Sequence, residues 1–365
     1  VMTLSLAVSA SAFKDDKDVS ADYAEAVAVL NGMDVFKGYE DGSFKPQGNI
    51  TRAEVATIIY RIYTGDVAKN DKSGLYSTYN KFSDMTGAGW ASGYIGYCAN
   101  AELVKGYPDG TFKPSGNVTG YEVLAMILRA VGYDKNGEFS GADWSLNVAK
   151  YAEQLGVLKN VAKTTNLGAP ATRELVAEIL FRAIQQPTVT YTPAFGYVTD
   201  KALKLDETTL GKKNFNLDSK DSEDEWGRPS TKWYNTKTSK TYAEVVATPD
   251  ASYNVATAQC DICSALGEKT SAKIVETYTN GVKSTTAETY KATATKAMVG
   301  AQGEQIEFYE VKDGYRLVIV DTYLAKVTSV VSEKIDKNNH VDRDDYTVLE
   351  AYVDEGKTET VYVDG

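Results

Sequence analysis

A duplicated nine-residue string constrains this chain more than any composition figure. Gly38-Tyr39-Glu40-Asp41-Gly42-Ser43-Phe44-Lys45-Pro46 returns as Gly106-Tyr107-Pro108-Asp109-Gly110-Thr111-Phe112-Lys113-Pro114, changed at two positions. The same displacement of 68 residues carries Thr51-Arg52-Ala53-Glu54 onto Thr119-Gly120-Tyr121-Glu122, and Val55, Ile58 and Ile59 onto Val123, Met126 and Ile127. A displacement of 121 finds a third, more degraded copy: Tyr23 falls on Trp144, Val27 on Val148, Thr51-Arg52 on Thr172-Arg173 and Arg61 on Arg182. That copy has lost the turn string and reads Lys159-Asn160-Val161-Ala162-Lys163-Thr164-Thr165 instead. The repeated unit, rather than any single residue, is therefore where function is sought.

Each copy reads as helix, loop, helix. Thr51 with Glu54, and Thr119 with Glu122, are capping boxes that start the second helix; Thr172 keeps the cap, but Leu175 replaces its carboxylate. Val55, Ile58, Ile59 and Ile62 then follow the spacing of one buried helical face. The first helix carries Tyr23, Ala24, Val27 and Leu30, with Trp90, Ala91 and Ile95 in the corresponding places of the second copy. Asp-Gly marks the turn between helices and Lys-Pro the exit. One such unit cannot bury its apolar face alone, so three predict an all-α pseudo-threefold body.

The Phe-x-Asp start, the Trp-Ala pair, the GYxDGTFKP turn and the TRAE box together resemble the S-layer homology domain, over about residues 13–185. The resemblance implies a triplet that anchors a protein by binding secondary cell-wall polysaccharide in grooves between repeats, often through a pyruvate ketal. It also implies that the first-helix aromatics Tyr23, Trp90 and Trp144, the early aspartates Asp15 and Asp84, and the turn glycines Gly38 and Gly106 line those grooves. Tyr23 departs from the family's usual Trp, and the third copy lacks the turn glycine.

The residues themselves point to the same place. Arg52 and Arg173 each open a helix whose free N–H groups and positive dipole end favour anions, and a guanidinium there can hold a carboxylate bidentately. The bland reading is a solvated arginine or a weak surface pair. Gly120 takes this position in copy two, which leaves at most two arginine pockets. The repeated aromatic is expected to pack in the core rather than to serve as a sugar platform alone, and Lys45 and Lys113 to face solvent. A balance of 39 Lys plus Arg against 50 Asp plus Glu, net −11, argues against nucleic acid. It also sets a repulsive far field against an anionic polymer, so binding has to come from local pockets and multivalency.

Leu4, Leu6, Ala7 and Val8 followed by Ala10-Ser11-Ala12 read as the tail of a secretory signal peptide, which makes 1–12 its remnant. No later stretch is long enough to span a membrane. The repeats are set at 13–63, 82–132 and 139–185. They are followed by a linker and mixed β-rich module at 186–300 and a truncated β-rich module at 301–365. Within these, 216–240 reads as polar loop, Ala256–Leu266 as a helix holding Cys260 and Cys263, and Asn280-Gly281 and Asp313-Gly314 as hairpin turns. Strands are expected at Leu324–Val331, Tyr346–Val353 and Thr358–Val363. Cys98 reads as a buried thiol, and the cysteine pair lacks the context for redox or metal chemistry.

The single histidine, His340, has no triad context, and its acidic surroundings fail the calcium-loop test, so neither catalytic residue, metal nor cofactor is expected. The expected fold class is a multidomain chain, an all-α three-repeat body followed by β-rich modules with a short helix. The expected function is a secreted, non-enzymatic coat or S-layer protein on a Gram-positive-type wall. Its partners would be the wall polysaccharide and further copies of itself. The rivals are a wall-anchored enzyme with its catalytic domain past Gly365, and an adhesin using the β modules.

Overall fold

The computed structural model describes residues 13–364 except 69–70, 80, 204–207, 255–259, 269–270, 285, 292–297, 300–302, 323, 332–333, 336–340, 344–345 and 355–356. Residues 1–12, expected to be a signal-peptide remnant, and His340 lie outside the described residues. Helices fill the N-terminal region and β-sheets the rest. The chain divides into two compact units, one running to Ser222 and including Ser230–Val246, the other comprising Glu223–Pro229 and Ala247 onward.

The paired helices of the first unit are α1 (Ala21–Gly32), α2 (Arg52–Thr64), α3 (Ser92–Asn100), α4 (Gly120–Val131), α5 (Trp144–Gln154) and α6 (Arg173–Ile184). The second helix of each pair forms where its sequence demands it. In α2 the face made by Val55, Ile58, Ile59 and Ile62 is buried, and the helix stops at Gly65, whose N–H returns to the Arg61 carbonyl in the left-handed conformation. Trp90 and Ala91 fall in a 3-10 turn, Gly89–Ala91, just ahead of α3 rather than inside it. Cys98 is buried, with Sγ 3.4 Å from the Ala56 carbonyl oxygen, and burial pushes its thiol pKa up.

The segments leading into α2, α4 and α6 bridge one another: Thr51 to Asn117, Thr119 to Pro170 and Asn49 to Thr172. Each helix start also donates to the approach of another pair. Arg52 and Ala53 N–H reach the Gly116 and Pro114 carbonyls at 2.9 and 3.0 Å, and Arg173 and Glu174 reach Gly48 and Pro46 at 2.9 and 3.1 Å. Tyr121 N–H reaches Leu167 at 3.1 Å. The links run from third pair to first, first to second and second to third.

Three features correct the domain reading. The first unit does not end near residue 186. It continues through β1 (Val189–Thr192), β2 (Gly196–Thr199), α7 (Leu210–Phe215), β3 (Leu217–Glu223), β4 (Pro229–Asn235) and β5 (Thr241–Val246), the last three forming one sheet. Residues 216–240 are thus mostly strand. Leu217 and Trp233 from this stretch, with Tyr242 and Ala243 of β5, join the core of the six helices. Trp233 packs edge-on against Phe181 at 5.1 Å, and its Nε1–H donates to Glu25 Oε1 at 3.0 Å. β5 lies so close to α1 that a Cβ on Gly32 would sit 1.8 Å from the Tyr242 carbonyl oxygen, which only glycine permits.

The second unit holds β6 (Ala251–Asn254), β7 (Cys260–Asp261), α8 (Ile262–Ala265), β8 (Ser271–Thr279), β9 (Val282–Ser284), β10 (Glu288–Lys291), β11 (Met298–Val299), β12 (Glu304–Val311), β13 (Gly314–Asp321), β14 (Leu324–Val331), β15 (Lys334–Ile335), β16 (Val341–Arg343), β17 (Tyr346–Asp354) and β18 (Lys357–Asp364). The Asn280-Gly281 and Asp313-Gly314 turns join β8 to β9 and β12 to β13. One sheet, in the order β10-β8-β13-β12-β6, spans the boundary expected near residue 300, so that boundary is not a break in the fold. A separate sheet, β14-β17-β18, follows it. Of the helix expected at Ala256–Leu266, residues 256–259 lie outside the described residues, Cys260 falls in β7, and α8 holds the buried Cys263. A small core of Ile262, Ile274, Ile306, Phe308 and Leu317 lies beneath the larger sheet. Arg228 Nε and Nη2 donate to both oxygens of buried Glu307, at 2.7 and 3.2 Å.

Where α6 meets α1, Glu178 is fully buried. Its Oε1 accepts from Arg182 Nε at 2.7 Å, Arg182 Nη2 reaches Glu25 at 2.9 Å, and Glu178 Oε2 has no hydrogen-bond partner. Desolvation raises the Glu178 pKa despite Arg182. A raised carboxyl favours the fold below its ordinary value of 4.5 and loses that contribution as pH rises through the folded-state value. Glu178→Gln should therefore unfold at higher denaturant than the parent at neutral pH, the gap closing as pH falls below 4.5; a gap independent of pH would refute the assignment. Trp233→Ala should lower the stability of the first unit by about 3 kcal/mol in a urea titration. An unchanged midpoint would show that the sheet adds nothing to that core.

Candidate functional site

The duplicated string forms the same structure twice. Tyr39 N–H donates to the Ser43 carbonyl and Gly42 N–H to the Tyr39 carbonyl; Tyr107, Thr111 and Gly110 repeat both bonds. Asp15 accepts from the Phe44 and Lys45 N–H groups, both at 2.7 Å, and Asp84 from those of Phe112 and Lys113, both at 2.8 Å. The early aspartates thus clamp the string from below. Gly38 and Gly106 are required by close approach. A Cβ there would meet the Phe13 ring at 2.4 Å and the Phe82 ring at 2.5 Å. Those rings pack on Phe44 and Phe112, each pair 5.2 Å apart.

The arginines are not the open forks expected from the sequence. Arg52 and Arg173 are each only 3 % exposed. Arg52 Nε donates to the Phe112 carbonyl at 2.7 Å, Nη2 to the Lys105 carbonyl at 3.1 Å and Nη1 to Glu122 Oε1 at 2.8 Å. Arg173 does the same to the first copy, through the Phe44 carbonyl at 2.7 Å, the Lys37 carbonyl at 2.9 Å and Glu54 Oε1 at 3.5 Å. Each guanidinium stacks between rings, Arg52 on Tyr107 and Phe112 and Arg173 on Phe36, Tyr39 and Phe44, at 4.5 to 5.0 Å. Burial lowers the Arg173 pKa.

The helix N-termini are not free either. Their first N–H groups are spent on the neighbouring approach segments, and those of Glu54, Glu122 and Leu175 on the cap hydroxyls of Thr51, Thr119 and Thr172. An arginine in this position meets a neighbouring repeat, and the interior, before it meets solvent.

Two roles went unread in the sequence. Glu54 and Glu122 each cap their own helix with Oε2 while Oε1 receives the arginine of another repeat. Tyr107 OH donates to the same Glu122 Oε1 at 2.7 Å, and burial together with that bond raises its pKa to about 12. The signal was present: Tyr39 and Tyr107 belong to the duplicated string. At the seam from the second copy to the third, donor and acceptor are missing together. Gly120 stands for the arginine and Leu175 for the carboxylate, and a Cβ on Gly120 would sit 2.8 Å from Leu167 Cδ2. Tyr121 and Trp144 meet edge-on there at 6.4 Å.

The three first-helix aromatics differ. Tyr23 and Trp144 are half-buried against the core, but Trp90 is 66 % exposed, with one edge contact to Tyr94 at 6.2 Å. The core role expected for the repeated aromatic therefore fails at Trp90. Lys45 and Lys113 are about half exposed and lie over the Tyr39 and Tyr107 rings at 4.3 and 4.2 Å. Among the described residues no group of three His, Cys, Asp or Glu side chains is arranged to hold a metal, and no helix is long and apolar enough to cross a membrane.

Comparison with known proteins bears on both duplicated segments. The sequence profile of the S-layer homology domain matches residues 12–56 and 81–124. The middle cell wall protein of Brevibacillus brevis is 28 % identical over 185 residues, covering 51 % of this chain and 17 % of that protein. Cell surface glycoprotein 1 of Acetivibrio thermocellus is 38 % identical over 140 residues, 37 % of this chain and 6 % of that one. Exoglucanase XynX, also of Acetivibrio thermocellus, is 26 % identical over 190 residues, 48 % and 16 % of the two chains. The chain thus spans less than a fifth of the length of each of these relatives.

Removing either arginine leaves a carboxylate and two carbonyls without their donor. Arg52→Ala and Arg173→Ala should each lower the stability of the first unit by about 3 kcal/mol in urea titration. Parental stability in both would mean that the guanidiniums do not hold the repeats together.

Proposed function

Residues 12–56 and 81–124 are S-layer homology domains, and from that premise we propose that this chain anchors a secreted, non-enzymatic surface protein to a Gram-positive-type cell wall. The ligand is secondary cell-wall polysaccharide carrying an acidic or pyruvylated sugar. Residues 139–185 serve as a degenerate third copy, and the three copies surround a pseudo-threefold axis. Closure of the three bridged helix starts into a ring supports that arrangement.

Ligand grooves lie along the two seams that keep an arginine. Arg52 and Arg173 shape the groove walls from behind, each having committed three donors to the neighbouring repeat. Tyr23 and Trp90 offer ring faces to the sugar, while Trp144 packs on Tyr121 in the filled third seam, and Asp15, Asp84, Gly38 and Gly106 hold the turn strings in place. The observation that carries this reading is Trp90. An indole 66 % exposed beside a packed repeat costs solvation unless something covers it. The third seam, filled by Leu167 against Gly120, is not a groove. Two pockets on one unit facing a repetitive polymer bind by avidity. Relatives named as cell wall and cell surface proteins support an envelope role. The relative named as an exoglucanase supports the view that such anchors also serve enzymes.

Pull-down of the chain with purified cell walls tests the proposal. Binding should persist at moderate salt, fall when the non-peptidoglycan polymer is stripped, and weaken in Trp90→Ala, which leaves an exposed site and keeps the fold. Equal retention by stripped walls would refute it.

A further inference from the structure

A polar cleft of about 170 Å³ opens in the second copy, between the end of α3, the end of α4 and the loop that follows. It is lined by Glu102, Lys105, Arg129, Tyr133, Asp134 and Lys135. Its volume equals roughly five or six water molecules in the liquid, enough for a carboxylate or phosphate group. Three of its side chains are cationic and two anionic, a local positive excess in a chain of net charge −11.

The floor of the cleft is built rather than incidental. Asp134 is buried; its Oδ1 accepts from the Phe139 N–H at 2.7 Å, and its Oδ2 from Arg129 Nε at 2.6 Å and Lys105 Nζ at 3.0 Å. Its lone pairs are occupied from three sides. Arg129 is 9 % exposed and spends Nη2 on the Phe139 carbonyl, and no described group accepts from its Nη1. Asp134 also holds the left-handed conformation, φ +68°, which costs an L-residue energy and is found where surroundings impose it.

This arrangement is particular to the second copy. In the first, the position of Tyr133 is Gly65, which takes the left-handed conformation without cost. The residue matching Asp134 is Asp66, which accepts from the Lys72 N–H, and Arg61 reaches the Val35 carbonyl instead. Repeat packing alone therefore does not require the cluster.

The geometry points to an oxyanion subsite in this cleft, where Arg129 Nη1, Lys105 and Lys135 receive a small carboxylate or phosphate group carried on an envelope glycan. It rests on the reading of the chain as a binder of acidic wall polymer; its lining side chains differ from the groove residues assigned above, although the Lys105 carbonyl accepts from Arg52 Nη2 at 3.1 Å. Asp134 holds Arg129 and Lys105 in place and does not itself touch the ligand.

Titration of the isotope-labelled full chain with glucuronate, and separately with inorganic phosphate, at low ionic strength tests it by amide chemical shifts. Saturable shifts at Lys105 and Tyr133–Gly137 are expected, and the probe that gives them identifies the chemistry of the source. The double variant Lys105→Gln, Lys135→Gln should stay folded, with Arg129 still paired to Asp134, and bind roughly fivefold more weakly. Trp90→Ala should bind the probe as the parent does, which separates this cleft from the groove. Absence of saturable shifts with both probes, or equal affinity in the double variant, would overturn the proposal. Failure of the parent chain to bind walls, with probe binding intact, would instead count against the groove alone.

Discussion

The helical unit depends on a buried arginine that leaves its own repeat. Arg52 and Arg173 each stand at a helix start, cross to a neighbouring copy, and end on a backbone carbonyl, a second carbonyl and the carboxylate of that copy's capping box. A guanidinium suits this task because its planar fork makes several fixed hydrogen bonds at once and stacks on aromatic rings. A charge so buried is expensive unless every partner is present. The cost of breaking the set is what makes the copies stay together.

That economy explains the third seam. Where Gly120 has replaced the arginine, Leu175 has replaced the capping glutamate that would have received it. Either change alone would leave a buried charge unpaired. Both together convert an ionic seam into an apolar one, sealed by Leu167 and by Tyr121 against Trp144. The first unit also recruits help beyond its helices. Trp233 and Tyr242, far along the chain, complete its core, and Trp233 fixes Glu25 beside Arg182.

The helix pairs were legible because their signals are local. Thr51 and Glu54 lie one helical turn apart, and so do the apolar residues behind them. Hairpin turns such as Asn280-Gly281 were equally plain. The strands β3 and β4 were not, because a half-exposed strand rich in Lys, Asp and Ser resembles a loop until its few apolar residues find a partner. Nor was the exposure of Trp90, since an indole on a helix-like pattern ordinarily packs.

Of the candidate site, the sequence placed Arg52 and Arg173 at helix starts and misjudged what they touch. It determined the repeat, its caps, its turn string and the loss of one arginine, since these are written in spacing and duplication. Only the tertiary structure decided that the helix N-termini are filled by neighbouring backbone, that the guanidiniums face inward, and that one copy opens a charged cleft. Those outcomes hinge on which segments, some 70 to 130 residues apart, come within hydrogen-bond distance. No local pattern encodes that distance.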